Sequence, residues 1–168
     1  MNTFEEKNGF AEQVEILAHQ LMNSTTLTND PRFLLKEISA RPNLTTPELG
    51  TRTRQVMFQN SQFEIVLMSW GSDSSSPIHG HGGSQCYMHI LSGELIETRY
   101  RPYEATPVHE ATLTSGSVTH INDHACFHKL SSLVGAVSLH LYARPLHTMQ
   151  VFDEAQKNWV DKVANESL

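Results

Sequence analysis

Between about residues 50 and 153 the chain is a succession of short runs rich in β-branched and aromatic residues, each closed by Gly, Pro, Asn or Ser. The runs are TRQVMF, FEIVLMSW, QCYMHILSG, LIETRYR, EATLTSG, SVTHIN, FHKLSS and GAVSLHLYARP. Side chains branched at Cβ pack well on a pleated backbone and poorly against a helical turn. Eight such segments with hairpin punctuation predict a mainly β fold, a sandwich or a small barrel closed on itself. The flanks read differently. In EEKNGFAEQVEILAHQLM the apolar Phe10, Val14, Leu17 and Leu21 recur at spacings of three and four, which predicts an amphipathic helix. DPRFLLKEIS predicts a second short helix with Asp30 as N-cap and Pro31 at the first helical position. The tail DEAQKNWVDKVAN predicts a short C-terminal helix. The expected organisation is one domain over residues 1–168, with a helical part at 1–45 and a β-barrel at about 50–150.

Charge removes several function classes. Twelve Lys and Arg stand against eighteen Asp and Glu, a net charge of −6, with no basic cluster. That argues against nucleic acid or an anionic membrane surface as partner. No apolar run approaches the ~20 residues of a membrane helix, and the acidic start MNTFEEKNGF is no secretory signal. Two cysteines cannot form a disulfide framework, so the expected location is the cytoplasm. The outlying number is histidine: of ten, nine lie between His79 and His147.

Pro77-Ile78-His79-Gly80-His81 places two imidazoles at i and i+2, and alternate side chains of an extended segment share a face. His128 opens a later strand after the turn Ile121-Asn122-Asp123, where a third ligand can converge. In Ala136-Val137-Ser138-Leu139-His140-Leu141-Tyr142 the alternation is strict. Ser138, His140 and Tyr142 share one face, and Val137, Leu139 and Leu141 the other. This reads as a barrel strand whose polar face lines a pocket while its apolar face packs outward on helices. Of the remaining histidines, His89 alternates with Cys86 so as to face away from the pocket.

These residues resemble a known family. The H-x-H run, followed by Cys86 and then Gly93, has the spacing of the first cupin motif, with Cys where most cupins carry a metal-binding Glu. Together with YMHILSGELIETRY, HINDHACFHKL and AVSLHLYARPLHTMQVFD, it looks like the cysteine dioxygenase family of cupin-fold thiol dioxygenases, over roughly residues 50–153. The resemblance implies a double-stranded β-helix and a non-haem Fe(II) held by His79, His81 and His128. It implies oxidation of a small free thiol, by default L-cysteine, to its sulfinic acid with O₂. Three neutral ligands leave the ion its full charge, which favours a substrate thiolate. By the same resemblance Arg54 binds the substrate carboxylate through its planar fork. Tyr142, oriented by His140 and Ser138, serves the reacting centre, and Cys86 and Tyr142 match the pair that forms a thioether crosslink. Trp70 falls at a family position and is expected to act in packing. The expected partners are the thiol and O₂ only, in a monomer or weak oligomer.

Three departures bear on the substrate. Gly80 stands where the family has an acidic residue between the histidines. Arg52 stands where it has an aromatic. Arg144 replaces the first of two prolines after the last barrel strand, and a cis bond before a non-proline costs ~2.5–4 kcal/mol, so a trans Ala143–Arg144 peptide is expected. Arg at 144 resembles members that use 3-mercaptopropionate. Arg52, Arg54 and Arg144 together suit a mercapto-dicarboxylate such as mercaptosuccinate. Two readings of other kinds stay open: a cupin that binds a ligand without catalysis, and a cupin isomerase using Zn or Mn.

Overall fold

The computed structural model describes residues 3–23, 30–39 and 46–164. The first helix, α1, runs Thr3–Met22 and the second, α2, Arg32–Lys36. Phe10, Val14, Leu17 and Leu21 form the buried stripe of α1, as their spacing predicts. Pro31, rather than Asp30, occupies the capping position of α2. Asp30 still serves the helix start, because its carboxylate accepts the Arg32 N–H at 3.0 Å and pairs with the Arg32 guanidinium. Residues 1–2, 24–29 and 40–45 of the expected helical part lie outside the described residues. Among the described residues no helix is long and apolar enough to cross a membrane.

Among the described residues ten strands follow: β1 Arg52–Gln59, β2 Phe63–Trp70, β3 Ser74–Ser75, β4 Gln85–Tyr100, β5 Pro107–Thr114, β6 Val118–Ile121, β7 Phe127–Ser132, β8 Ala136–Ala143, β9 Thr148–Asp153 and β10 Asn158–Val163. The main sheet runs β1-β2-β8-β4-β7-β3, with β5 and β6 also on β4. The first half of β4 pairs β8 and β6, and its second half pairs β7 and β5, so the one strand belongs to both walls of a curled sheet. QCYMHILSG and LIETRYR, expected as two strands, are thus one. They join at Gly93, whose φ of 72° is open to glycine alone at low cost. A Cβ there would sit 2.2 Å from the Gly135 carbonyl oxygen. This is the cupin-type double-stranded β-helix.

Alternation along β2, β4 and β8 sorts side chains onto two buried faces. Phe63, Ile65, Leu67, Tyr87, Leu91, Val137, Leu139 and Leu141 pack outward beneath α1 and α2. Val66, Met68, Trp70, Cys86, Met88, Ile90 and Tyr142 point into the barrel. A strand buried on both faces loses the polar–apolar alternation of a half-exposed one, which is why residues 65–68 of β2 read as a continuous apolar run.

The tail expected as a helix is not helical over residues 153–163, and residues 165–168 lie outside the described residues. Residues 148–163 make the β9–β10 hairpin instead, with Phe152 directly opposite Trp159. The helix-forming residues of DEAQKNWVDKVAN are overridden at the turn, where Asp153 Oδ1 accepts the N–H groups of Ala155 and Gln156. Trp159 then packs against Phe127 and Tyr103, with ring centroids 5.3 and 5.6 Å away, a burial that helical spacing would not deliver.

Candidate metal centre

His79 is an extended residue between β7 and β9. It exchanges both backbone hydrogen bonds with His128, and its neighbours Gly80 and Ile78 bond Gln150 and Phe152. Two of the three predicted ligands therefore sit opposite one another by backbone pairing alone. His81 follows at i+2 on the same face. All three imidazoles are buried, and their candidate ligand atoms lie within 4.8 Å of one another.

The hydrogen bonds around the rings decide which nitrogen is left for a ligand. His79 Nδ1 lies 3.0 Å from the Pro77 carbonyl, His128 Nδ1 3.0 Å from Glu97 Oε1, and His81 Nδ1 3.2 Å from Asp123 Oδ1. A carbonyl and two carboxylates can only accept, so each Nδ1 carries the hydrogen and each Nε2 presents a lone pair. The Nε2 atoms of His79 and His128 face each other at 3.2 Å. His81 Nε2 is buried with no hydrogen-bond partner. Three converging lone pairs in a buried site are unfavourable among themselves and are what a cation of the imidazole-binding class would satisfy. The residues present fit a metal ion. Burial, followed by the neighbouring imidazoles, holds His79 and His128 well below the usual histidine range, so both are neutral and able to ligate.

Carboxylates outside the ligands hold them in place. Asp123 also accepts the N–H groups of His81 and Gly83, at 2.7 and 2.9 Å. Burial pushes its carboxyl up, but the His81 contact and these N–H bonds outweigh that and hold it below the usual carboxylate range. Glu97 is anchored through Oε2 by Arg99 and Thr119. Neither residue was singled out in the sequence. The available signal was position: Glu97 lies on the inward-facing side of β4, and Asp123 closes the turn before His128.

The polar stripe of β8 extends the site. Trp70 Nε1–H donates to Ser138 Oγ at 3.0 Å, Ser138 Oγ lies 2.8 Å from His140 Nε2, and His140 Nδ1 lies 3.2 Å from the Tyr142 hydroxyl. An indole only donates, and the buried Ser138 hydroxyl that accepts from it has His140 Nε2 as the acceptor for its own hydrogen. Ser138 accepts from Trp70 and donates to His140, and His140 donates to Tyr142. Trp70 is therefore more than packing. Burial lowers His140 to about 3, keeping the ring neutral. Burial, then Cys86, lifts Tyr142 well above 10, so the phenol keeps its hydrogen, which it directs at Cys86 Sγ. Tyr142 is flanked across the sheet by Cys86 on β4 and by Glu64 on β2. Cys86 is in hydrogen-bond contact with Tyr142, and burial raises its thiol well above the usual range.

The three arginines have different surroundings. Arg54 is 8% exposed and donates from Nη2 to Glu64 Oε1 at 2.7 Å. Arg52 lies over the Trp70 ring and donates to the Ser75 carbonyl. Arg144 is exposed and lines a cleft of about 280 Å³ with Ser61, His81, Ser84, His147 and Thr148. A separate hollow of about 320 Å³, bounded by Lys36, His89 and Ser115, shares no residue with the histidine site. The Ala143–Arg144 peptide is cis, contrary to expectation. That expectation weighed only the local preference, whereas the chain here is anchored at Leu146, whose N–H donates to Glu64 Oε1.

Gly80 also has a packing reason. A Cβ at this residue would lie 2.4 Å from Cε1 of Phe127 and less than 3 Å from two further ring atoms. Phe127 is fixed by Tyr103 and Trp159, at 5.2 and 5.3 Å, so room for its ring requires glycine between the two histidines. Gly80→Ala is expected to cost about 1–3 kcal/mol of stability through overpacking. The added Phe127→Leu change should return part of it, as read from thermal melts of the single and double variants.

The sequence profile of cysteine dioxygenase type I matches residues 45–155 of the chain. Cysteine dioxygenase type 1 of Rattus norvegicus is 33% identical over 111 residues, covering 61% of this chain and 56% of that protein. The Homo sapiens protein of the same name is 32% identical over the same shares. The chain thus spans little more than half the length of these relatives. Among solved structures, an uncharacterized conserved protein with a double-stranded β-helix domain from Klebsiella pneumoniae aligns with a TM-score of 0.52. It is 14% identical and covers 64% of this chain and 90% of that one, a likeness of fold alone.

Proposed function

Because the chain belongs to the cysteine dioxygenase type I family, we propose that it is a non-haem iron(II) thiol dioxygenase converting a small free thiol, by default L-cysteine, to its sulfinic acid. The observation that carries this reading is the convergence of three buried Nε2 lone pairs, each ring turned by an acceptor behind it. His79, His81 and His128 would hold the iron. An iron(II) there would supply the positions for the substrate sulfur and dioxygen, and the redox capacity to move both oxygen atoms onto sulfur.

The chain's own residues supply the rest. Arg54 offers guanidinium N–H groups to a substrate carboxylate. Tyr142 holds a proton at its hydroxyl, aimed by the hydrogen bond from His140, and can place it on an oxygen or sulfur developing negative charge. Trp70 and Ser138 keep His140 in the tautomer that makes this possible. The apolar interior formed by Val66, Met68, Met88 and Ile90 excludes water from the thiolate. Cys86 and Tyr142, adjacent across β4 and β8, support a thioether between Sγ and the phenol ring. Its formation removes two hydrogens and needs dioxygen as oxidant. Two cysteines without a disulfide suit the cytoplasm, where ferrous iron persists.

A second reading keeps the chemistry and changes the substrate. Arg144 lines the cleft that reaches His81, which suits a mercapto acid with a carboxylate further from sulfur, such as 3-mercaptopropionate or mercaptosuccinate. Comparing kcat/KM for sulfinate formation from the three thiols separates the readings. Preference for L-cysteine, unchanged in Arg144→Ala, supports the first. A preference for either mercapto acid that collapses in Arg144→Ala supports the second.

A further inference from the structure

Among the described residues, the one buried acid beside the stripe of β8 that the reading above leaves without a task is Glu64. It is 2% exposed, lies directly opposite Tyr142 in the sheet, and takes two hydrogen bonds on a single oxygen: from Arg54 Nη2 at 2.7 Å and from the Leu146 N–H at 3.1 Å. The carboxylate is thus tied to β1 on one side and to the segment after β8 on the other. Its position is fixed independently of any substrate.

We propose that Glu64 sets the range of thiols the pocket accepts, by giving the Arg54 guanidinium its counter-charge from within the protein. The proposal rests on the dioxygenase reading and on the carboxylate-binding role of Arg54. A buried guanidinium with no anion would discriminate strongly for an anionic ligand, because an unpaired buried charge is costly. Here that demand is already met. An arriving carboxylate gains hydrogen bonds from the guanidinium but meets a dyad with no net charge, and it also meets Glu64 itself. The pocket therefore distinguishes weakly between a thiol ending in a carboxylate and one ending in an uncharged polar group. The substrate class widens accordingly, from mercapto acids and cysteine to small thiols with neutral ends.

The test is anaerobic calorimetric titration of the Fe(II)-loaded protein with 3-mercaptopropionate and with 3-mercaptopropionamide, which differ in charge and hardly in shape. The readout is the ratio of the two dissociation constants. The wild-type protein is expected to hold the two within about tenfold of one another. Glu64→Gln keeps an oxygen for both Arg54 and the Leu146 N–H while removing the charge, and is expected to shift the ratio toward the carboxylate by about tenfold or more. Glu64→Asp keeps the charge and should leave the ratio near wild type. Arg54→Gln, which reads the dyad from its other end, should shift the ratio toward the amide. If Glu64 were only a strut aiming Arg54, Glu64→Gln would weaken the carboxylate instead, and that result overturns the proposal. So does a wild-type preference for the carboxylate beyond about a hundredfold. Binding of neither thiol by loaded wild-type protein overturns the proposal, and failure to bind L-cysteine as well overturns the dioxygenase reading with it.

Discussion

Replacing His128 by alanine is expected to strip the metal from the protein while leaving the fold in place. His128 joins β7 to His79 through its backbone, which the substitution retains. Glu97, left without the imidazole, keeps Arg99 and Thr119 as partners, so no carboxylate is stranded in the barrel. What disappears is one of three converging lone pairs. Loss of a residue that merely orients a ligand costs about 10–100-fold in metal affinity. Loss of the ligand itself should exceed that, reducing bound iron to a small fraction of the wild-type content after anaerobic loading and desalting. Glu97→Gln and Asp123→Asn should fall between the two, since each leaves the ligand present and loosens its aim. Metal analysis beside thermal melts checks the series. Near-normal iron in His128→Ala would mean that the three histidines are not the binding set.

The second large effect is expected at Tyr142. Phenylalanine in its place keeps the ring packed beside Cys86 and removes the only group to which the chain Trp70–Ser138–His140 delivers a hydrogen bond. A positioned proton donor contributes about 10²–10⁴-fold to a reaction, so kcat should fall by about a hundredfold or more with iron content unchanged. The phenylalanine protein should also show no mass deficit of two hydrogens after turnover, while the wild type accumulates one. Cys86→Ser offers the contrast. It removes the thioether but leaves the proton in place, so its effect on kcat should be much the smaller of the two. If both variants lost activity equally, the crosslink and not the hydroxyl would be the contributing feature.

Much of this site was legible in the sequence because it is written in local alternation. His79 and His81 at i and i+2, and Ser138, His140 and Tyr142 at i, i+2 and i+4, can be assigned to common faces from strand geometry alone. The covering helix was equally legible, since Phe10, Val14, Leu17 and Leu21 lie on one stripe. What escaped depended on contacts between distant segments. Glu64, Glu97 and Asp123 are acidic residues in otherwise ordinary runs; sheet register shows that the first two point inward, and hydrogen bonds to His81 and Gly83 place the third. Trp70 read as packing because its hydrogen-bond partner lies 68 residues away. The tail read as a helix because Phe152 and Trp159 are a cross-strand pair that exists only once Asp153 has turned the chain. Gly80 read only as a departure from the family pattern, whereas its cause is the ring of Phe127. In each case the deciding interaction was tertiary, and local preference alone pointed elsewhere.

The most direct test of the dioxygenase reading is the origin of the oxygen in the product. Protein loaded anaerobically with Fe(II) and given L-cysteine under ¹⁸O₂ should form cysteine sulfinic acid with both sulfinate oxygens labelled, at one O₂ consumed per thiol. A mercapto acid giving the same doubly labelled sulfinate when cysteine does not would retain the reaction and move the substrate. Sulfinate carrying solvent oxygen, or no oxygen uptake with any small thiol despite a filled metal site, would contradict the reading and leave a ligand-binding cupin in its place.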